Sequence, residues 1–398
     1  MNVQLNDSGV PILKQKTFGQ KVKSFLLWAI LVILTLAAAL LVYLCIAGAS
    51  EMAALTTLKQ VSNHPYYTMT YENFDYSDMV TKELGSNDAV IKYYKSKFFS
   101  GLSGMFPGEN KNDYATKGSI AFYGRSYTSD YMKGRMYNSY DVPILMVTAK
   151  PENGYKSWNI IDMTDVGLSS RQEIDAWFNN SFQTIAATYC VSEGINSELF
   201  SVSLISCPVA ECDDTPLVNI TPFMAVRLML DRAATVDSAI ELLSGYDIDF
   251  SSGPYHFLIS EKSGNSAIVE YVNGKMSVTY PVVDTKTHHQ ICTNKMEDKT
   301  VRTADKDYSD RFQELSLYRL FDSTLSNSYS SGLGQAPAYM DILMADKSKA
   351  LKETNEEHFG TNMYGTQYTV LYDFFRMKMH IVIGGDTKAQ SYTYDLTV

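Results

Sequence analysis

The sequence predicts an α+β layered sandwich preceded by one transmembrane helix. Two observations carry this prediction: an apolar run without charge over residues 25–48, and two separate strand-rich blocks farther along the chain. The order of the blocks is strands, helices, strands, helices, strands, which favours a layered α+β arrangement over a doubly wound parallel sheet. A chain of 398 residues can hold one large domain behind such an anchor.

The N-terminal apolar run, FLLWAILVILTLAAALLVYLCIAG, is long enough to cross a hydrocarbon core of roughly 30 Å as a helix. The flanking charges predict a cytoplasmic segment 1–24 and export of everything after the helix, because basic residues stay on the cytoplasmic side. A cleaved signal peptide ending at the small residues 47–49 is the alternative, although its apolar run would be unusually long. The basic residues before the run are Lys14, Lys16, Lys21 and Lys23, and Glu51 follows it.

The charge balance argues against nucleic acid as a partner. Lysine and arginine total 34 against 44 acidic residues, a net charge of −10, so phosphate backbones would be repelled. The six histidines, including the pair His288 and His289, lack the spacing of metal ligands, and no Cys-x-x-Cys zinc pattern occurs. The sequence therefore predicts no metal and no cofactor.

Four of the five cysteines lie beyond the apolar run, in a compartment that could oxidise them. Cys207 and Cys212 bracket a short loop and could form a disulfide. Buried free thiols are the equal alternative, because loop spacing does not determine disulfide geometry.

Residues 49–102 form a predicted lead-in or pro-segment, and residues 103–398 the main domain. The lead-in combines an extended piece, HPYYTMTY, with a helical stretch, NDAVIKYYKSKFF. The main domain opens with an alternating strand, GSIAFYGRSY, and a buried strand at residues 144–149. A turn at Asn153-Gly154 then leads into a third strand, so an antiparallel meander is expected.

Helical spacing of apolar residues over 222–243 predicts two helices, the second starting after Thr235. Three alternating strands follow, YHFLISE, SAIVEYV and KMSVTYPVV, and the Asn273-Gly274 pair between the last two is a strong hairpin signal. Residues 311–325 and 338–351 are predicted helices, and residues 367–383 two closing strands.

Several short motifs in this order resemble the linear amide C–N hydrolases, the group of choloylglycine hydrolases, penicillin V acylases and isopenicillin N acyltransferase relatives. The resemblance covers roughly residues 58–385. The motifs are SIAFYGRSY, similar to a second strand ending in Gly-Arg-Asn; SEGINSE, similar to an Asp-Gly-Met-Asn-Glu turn; YHFLISEKSGNSAIVEY, similar to a central hairpin; ICTNKM, similar to a Thr-Asn element; and TQYTVLYD, similar to a closing strand.

This resemblance implies a four-layer αββα fold in which a propeptide is removed and the new N-terminal residue attacks an amide. The side chain of that residue is the nucleophile and its own amine is the base. An α-amino group titrates at roughly 7.7–8.0, so it accepts a proton at neutral pH without a histidine. The implied substrate is a small amide or acyl compound.

The resemblance also implies the site residues. Ser103 stands where the family has its nucleophilic cysteine, because Ser103-Gly104-Met105-Phe106 aligns with a Cys-x-x-Phe start. Arg125 matches an arginine beside the nucleophile, Asn294 an asparagine that holds the oxyanion or substrate carbonyl, and Arg311 a later arginine of the site.

Three departures from the family pattern bear on activity. The nucleophile is a serine, a weaker nucleophile than a thiolate. Thr128 replaces an aspartate three residues after the arginine, and the usual oxyanion asparagine falls near Ile205 or Ser206. Two hypotheses result: a membrane-anchored extracytoplasmic hydrolase or acyltransferase acting on linear amide C–N bonds, or a catalytically degenerate member that serves as a ligand-binding or interaction module.

Overall fold

The computed structural model describes most of the chain and divides it into two compact units, residues 1–52 and 53–398. The described residues are 4–5, 11–12, 18–62, 64–98, 118–125, 131–139, 142–175, 177–282, 289–304, 365–384 and 391–397.

The first unit is dominated by one long helix. Two short paired strands, β1 (Gln4–Leu5) and β2 (Pro11–Ile12), precede helix α1 (Phe18–Ala47), and helix α2 (Ala49–Thr57) follows it. Residues Phe18–Leu36 are long and apolar enough to cross a membrane, and a signal sequence would satisfy the same criteria. The predicted apolar helix is therefore present, seven residues longer at its N-terminal end than the uncharged run.

The second unit contains two large sheets and several helices. Its helices are α3 (Asn87–Phe98), α4 (Arg171–Asp175), α5 (Trp177–Ala186), α6 (Pro222–Arg232), α7 (Val236–Leu243) and α8 (Lys299–Ala304). Its strands are β3 (Lys59–Gln60), β4 (Tyr66–Phe74), β5 (Gly118–Arg125), β6 (Tyr131–Ser139), β7 (Ile144–Pro151), β8 (Ser157–Asp162), β9 (Glu193–Asn196), β10 (Phe200–Ser206), β11 (Val218–Ile220), β12 (Tyr246–Ile248), β13 (Tyr255–Glu261), β14 (Ser266–Val272), β15 (Lys275–Thr279), β16 (His289–Cys292), β17 (Gly365–Asp373), β18 (Lys378–Ile383) and β19 (Ser391–Asp395).

The nine-stranded sheet has the order β15-β14-β13-β10-β9-β8-β7-β4-β3. Neighbouring strands are antiparallel except for β4 and β7, which are parallel. The predicted hairpin between β14 and β15 is confirmed: Asn273 and Gly274 both have positive φ, 51° and 80°, as a two-residue turn of this kind requires. Strand β4 comes from the predicted lead-in, so this segment supplies part of the central sheet.

The six-stranded sheet has the order β16-β5-β6-β17-β18-β19 and is antiparallel throughout. It packs face to face on the nine-stranded sheet. Part of the interface is an apolar cluster with members from both sheets, such as Ile144 and Ile160 on one side and Val370 and Ile381 on the other. The predicted pair of stacked sheets is thus confirmed.

Helices cover the other face of the nine-stranded sheet. Residues of α3, α6 and α7 belong to its large apolar cluster, and α5 packs against α3. Helix α6 begins at the cap Thr221 with Pro222 in its first turn, and α7 begins with a capping box formed by Thr235 and Ser238. The α+β class is confirmed, with one helical and two sheet layers among the described residues. The helices predicted at 311–325 and 338–351 lie outside these residues.

Candidate active site

The structure describes two of the four predicted site residues, and it does not bring them together. Arg125 is the last residue of β5 and is half-buried, whereas Asn294 follows β16. In the antiparallel pairing of these strands, Gly124 is opposite His289 and Ala121 is opposite Cys292. Arg125 and Asn294 are therefore at opposite ends of the pair, about 20 Å apart along the strands. Ser103 and Arg311 lie outside the described residues.

A different arginine is buried between the sheets. Arg135 of β6 is 2% exposed. Its Nη1 donates to the carbonyl oxygen of Ser192 at 3.1 Å and lies 3.3 Å from Oε2 of Glu193. Its Nη2 donates to the carbonyl oxygen of Leu204 at 2.7 Å. The guanidinium thus connects the six-stranded sheet to β9 and β10 of the other sheet.

The partner of this arginine, Glu193, is a fully buried carboxylate with two further donors. The Ser203 hydroxyl donates to it at 2.9 Å and the Tyr368 hydroxyl at 3.2 Å. Burial opposes the charge of Arg135, but Tyr368 and Glu193 outweigh this effect, so the pKa of Arg135 is raised. A fixed positive charge therefore lies at the sheet interface.

Lys133, two positions before Arg135 on β6, is also fully buried. Its Nζ has no hydrogen-bond acceptor among the described residues and lies 5.8 Å from the ring centre of Tyr372. Burial lowers the pKa of Lys133 to about 7, against the opposing effect of Glu193. The group is therefore poised between charged and neutral forms near neutral pH.

Asn294 is tied to the same region as Arg135. Its Nδ2 donates to the carbonyl oxygen of Ser206 at 2.9 Å, and Ser206 is two residues beyond Leu204, whose carbonyl binds Arg135. Arg135, Leu204 and Ser206 line one small cavity. Its volume of about 10 Å³ is room for about one water molecule.

The strand register adds a serine position to this end of the sheet. Ala121 pairs with Arg135, and Ser119 pairs with Tyr137, so position 119 is on the same strand face as position 121. Continuing the β5–β16 register by two residues beyond Cys292 brings Asn294 level with Ser119. Position 119 therefore falls between the strand that carries Arg135 and the segment that carries Asn294.

A cysteine, a histidine and a glutamate form a buried row next to this segment. Cys292 Sγ is 3.3 Å from His256 Nε2, and His256 Nδ1 is 3.0 Å from Glu270 Oε1. The row has the geometry of a nucleophile, its base and an orienting acid. His256 cannot act as the base for Cys292, because its Nε2 is also 2.8 Å from the carbonyl oxygen of Thr293, which only accepts hydrogen bonds. Nε2 must carry a proton and is no base.

The four cysteines beyond the apolar helix are free thiols. They are Cys190, Cys207, Cys212 and Cys292. The disulfide considered for Cys207 and Cys212 is therefore not formed, and the alternative of free thiols is confirmed. Burial raises the pKa of Cys292, against the opposing effect of His256. Among the described residues there is no group of three or more His, Cys, Asp or Glu side chains arranged for a metal ion.

Two signals in the sequence could have identified Arg135 and Ser119. A second Gly-Arg pair, Gly134-Arg135, follows the first after ten residues, and Ser119-Ile120-Ala121-Phe122 repeats the Ser-x-x-Phe spacing found at residues 103–106. The sequence does not display which of the two arginines is buried between the sheets. The first Gly-Arg pair is at the end of β5, whereas the second is inside β6.

Comparison with protein families gives one match. The family model for acyl-coenzyme A:6-aminopenicillanic acid acyl-transferase matches residues 217–388. The matched region includes β13, β14, β16 and Asn294. Comparison with the curated proteins gives no match.

Similar solved structures include penicillin V acylase from Agrobacterium tumefaciens, at 14% identity and a TM-score of 0.41, covering 70% of this chain and 88% of that one. Two variants of the conjugated bile acid hydrolase from Clostridium perfringens align at 13% and 12% identity with TM-scores of 0.39 and 0.42. Each covers 70% of this chain and 92% of its own.

Proposed function

We propose, from the relationship to the linear amide C–N hydrolases that the family match over residues 217–388 supports, that this chain is a membrane-anchored extracytoplasmic hydrolase or acyltransferase of linear amides. The observation that carries the proposal is the buried Arg135, held by Glu193 and opposite Ala121, two residues from position 119 on the side of β5 toward Asn294. Arg125, predicted for the role of the site arginine, is at the other end of β5.

The proposed chemistry begins with cleavage of a peptide bond that frees a serine as the new N-terminus. The hydroxyl of this serine attacks the substrate carbonyl, and its own α-amine takes the hydroxyl proton. The amide C–N bond then breaks, the proton leaves with the amine product, and an acyl ester remains on the serine. Water releases the acid in a hydrolase, and an acceptor amine takes the acyl group in a transferase.

The surrounding residues have defined roles in this scheme. Asn294 supplies a hydrogen bond to the developing oxyanion, and removal of such a donor costs about 10²–10³ in kcat. Arg135 supplies positive charge beside the nucleophile. Asn138, three residues after Arg135, pairs with Gly118 and therefore stands beside the proposed new N-terminus at 119. It is an amide at the position where the resemblance implies an aspartate, so the residue type supplies no negative charge there.

Two serines compete for the role of nucleophile. The sequence predicts Ser103, while the strand register favours Ser119, which has the same Ser-x-x-Phe spacing. Intact-mass measurement and N-terminal sequencing of the purified full chain separate them: cleavage after Gly118 supports Ser119, and cleavage after residue 102 supports Ser103. Ser119→Ala should abolish processing and Ser119→Cys should retain it, with Ser103→Ala as the matched control.

An intact chain would contradict self-processing. It would favour the second candidate, a binding or interaction module that keeps the fold without turnover. Two observations give this candidate weight: the serine in place of a thiol, and the asparagine at 138 in place of a carboxylate. Incubation with penicillin V and with a conjugated bile acid, followed by mass spectrometry, separates turnover from binding.

The proposed anchoring rests on the apolar helix α1 and the basic residues around it. Cleavage at 103 or 119 would cut the covalent link between this helix and most of the domain. Strand β4 lies within the nine-stranded sheet and Tyr71 and Phe74 are buried in its helical-side core, so the two fragments should stay together. Both are expected in the membrane fraction, and release of the larger fragment into the medium would contradict this arrangement.

A further inference from the structure

The histidine–glutamate pair beside Cys292 has no part in the chemistry above, yet it contacts the segment that carries Asn294 at several points. His256 and Glu270 lie opposite each other on β13 and β14 and are both fully buried. The segment in question, residues 293–298, follows β16. It is named here the asparagine loop.

Glu270 holds the far end of the asparagine loop. Its Oε1 accepts a hydrogen bond from the main-chain amide of Glu297 at 2.8 Å, and its Oε2 accepts one from that of Asp298 at 2.6 Å. Oε1 also accepts from Nδ1 of His256 at 3.0 Å. An ionised carboxylate, which only accepts hydrogen bonds, satisfies all of these donors.

His256 holds the near end of the loop. Its Nε2 is 2.8 Å from the carbonyl oxygen of Thr293, the residue before Asn294. Both ring nitrogens therefore face groups that only accept hydrogen bonds, so both must carry protons and the ring is an imidazolium. Burial by itself lowers the pKa of His256, but Cys292, Glu270 and Cys207 outweigh this effect and raise it well above its usual value.

We propose that His256 and Glu270, as a buried imidazolium–carboxylate pair, are positioning residues that fix both ends of the asparagine loop and thereby aim the side chain of Asn294 into the site. This inference rests on the proposed function for the role of Asn294, but not for the placement of the loop. Direct contact with substrate is not required of either residue.

The placement is tested by hydrogen exchange on the full chain in detergent, without any substrate. Glu270→Gln replaces one acceptor oxygen by a donor, so it cannot serve every partner. Exchange of the amides of the asparagine loop should become at least about tenfold faster, corresponding to about 1.4 kcal/mol by the factor-of-ten relation. His256→Gln should act in the same direction. His380→Gln, the same change at a half-buried histidine on β18, is the matched control. Unchanged exchange in Glu270→Gln would overturn the proposal.

The protonation state is tested in the unmodified protein, which avoids variants that fail to fold. With ¹⁵N-labelled histidine, both ring nitrogens of His256 should give the signals of a charged ring at pH 7. A neutral ring at that pH would overturn the proposal, because one of the two contacts would then lack its donor.

The link to catalysis is tested by a double-mutant cycle. Glu270→Gln should lower kcat about tenfold with KM nearly unchanged, since a small displacement of a catalytic group lowers the rate steeply. In the Asn294→Ala background the same change should have little further effect. An equal loss in both backgrounds would refute positioning through Asn294. If exchange of the loop is faster in Glu270→Gln but the wild type turns over no amide, the placement of the loop stands and the proposed function is rejected.

Discussion

The interface between the two sheets has two halves with opposite chemistry. Under β4, β7 and β8 it is an apolar cluster with β17 and β18, containing residues such as Ile160 and Ile381. Under β9, β10 and β13 it contains charged groups, Arg135, Glu193 and His256 among them, all nearly inaccessible to solvent. Burying charge costs stability unless every group is paired. If stability were the only requirement, apolar residues would fill this half of the interface as well. The polar half is therefore where we expect function.

The largest expected effect comes from breaking the main ion pair of the polar half. Arg135→Met leaves Glu193 buried without its cation and should lower the free energy of unfolding by about 3–5 kcal/mol. Chemical denaturation of the full chain in detergent measures it. Adding Glu193→Leu should restore much of the stability but no processing. If the double variant processes normally, the polar half is structural only.

The apolar half should show the reverse pattern. Ile381→Ala, on β18, removes buried methyl groups from the cluster and should lower the free energy of unfolding by about 3 kcal/mol. Processing and protonation of His256 should be unchanged, because β18 is separated by β17 from the strand that carries Arg135 and pairs with neither the strand of position 119 nor that of His256. Loss of self-cleavage at a temperature where this variant remains folded would show that the two halves are not separable.

The buried Lys133 should lower the stability of the protein, and the pH dependence of the free energy of unfolding measures this cost. Its folded-state pKa is about 7, below the ordinary value of 10.5, so the unfolded chain binds more protons between these pH values. The unfolding free energy of the wild type should rise with pH across this window, at up to about 1.4 kcal/mol per pH unit from this group. A flat profile would contradict the lowered pKa.

The matching variant is Lys133→Met, which removes the buried ammonium. It should be more stable than the wild type by about 4 kcal/mol at pH 7, and this advantage should shrink as the pH approaches 10.5. Lys150→Met, at an exposed position of β7, is the control and should leave the pH profile unchanged.

The smallest effect is expected for a neutral polar contact that borders the apolar half. The hydroxyls of Tyr66 and Tyr394 lie 3.0 Å apart and connect the two sheets. Tyr394→Phe should cost about 1 kcal/mol or less, as for a single neutral hydrogen bond. A cost as large as that of Arg135→Met would remove the distinction between charged and neutral contacts.

The sequence was sufficient for the elements whose signals are local. The hairpin at Asn273-Gly274 is specified by two residues that tolerate positive φ, and the caps of α6 and α7 by threonines that accept main-chain hydrogen bonds. The apolar helix was predicted by its lack of charge alone. These features depend on residues close together in the chain, so tertiary structure is not needed to find them.

The choice between two arginines was decided only by the tertiary structure. Gly124-Arg125 and Gly134-Arg135 are equivalent as sequence, but only the guanidinium of Arg135 forms the contacts with Glu193 of β9 and Leu204 of β10, more than fifty residues farther along the chain. The imidazolium of His256 is likewise visible only once Glu270 and Thr293 are placed around it. Burial and pairing arise from contacts between distant segments, and these determine the chemistry of a charged side chain.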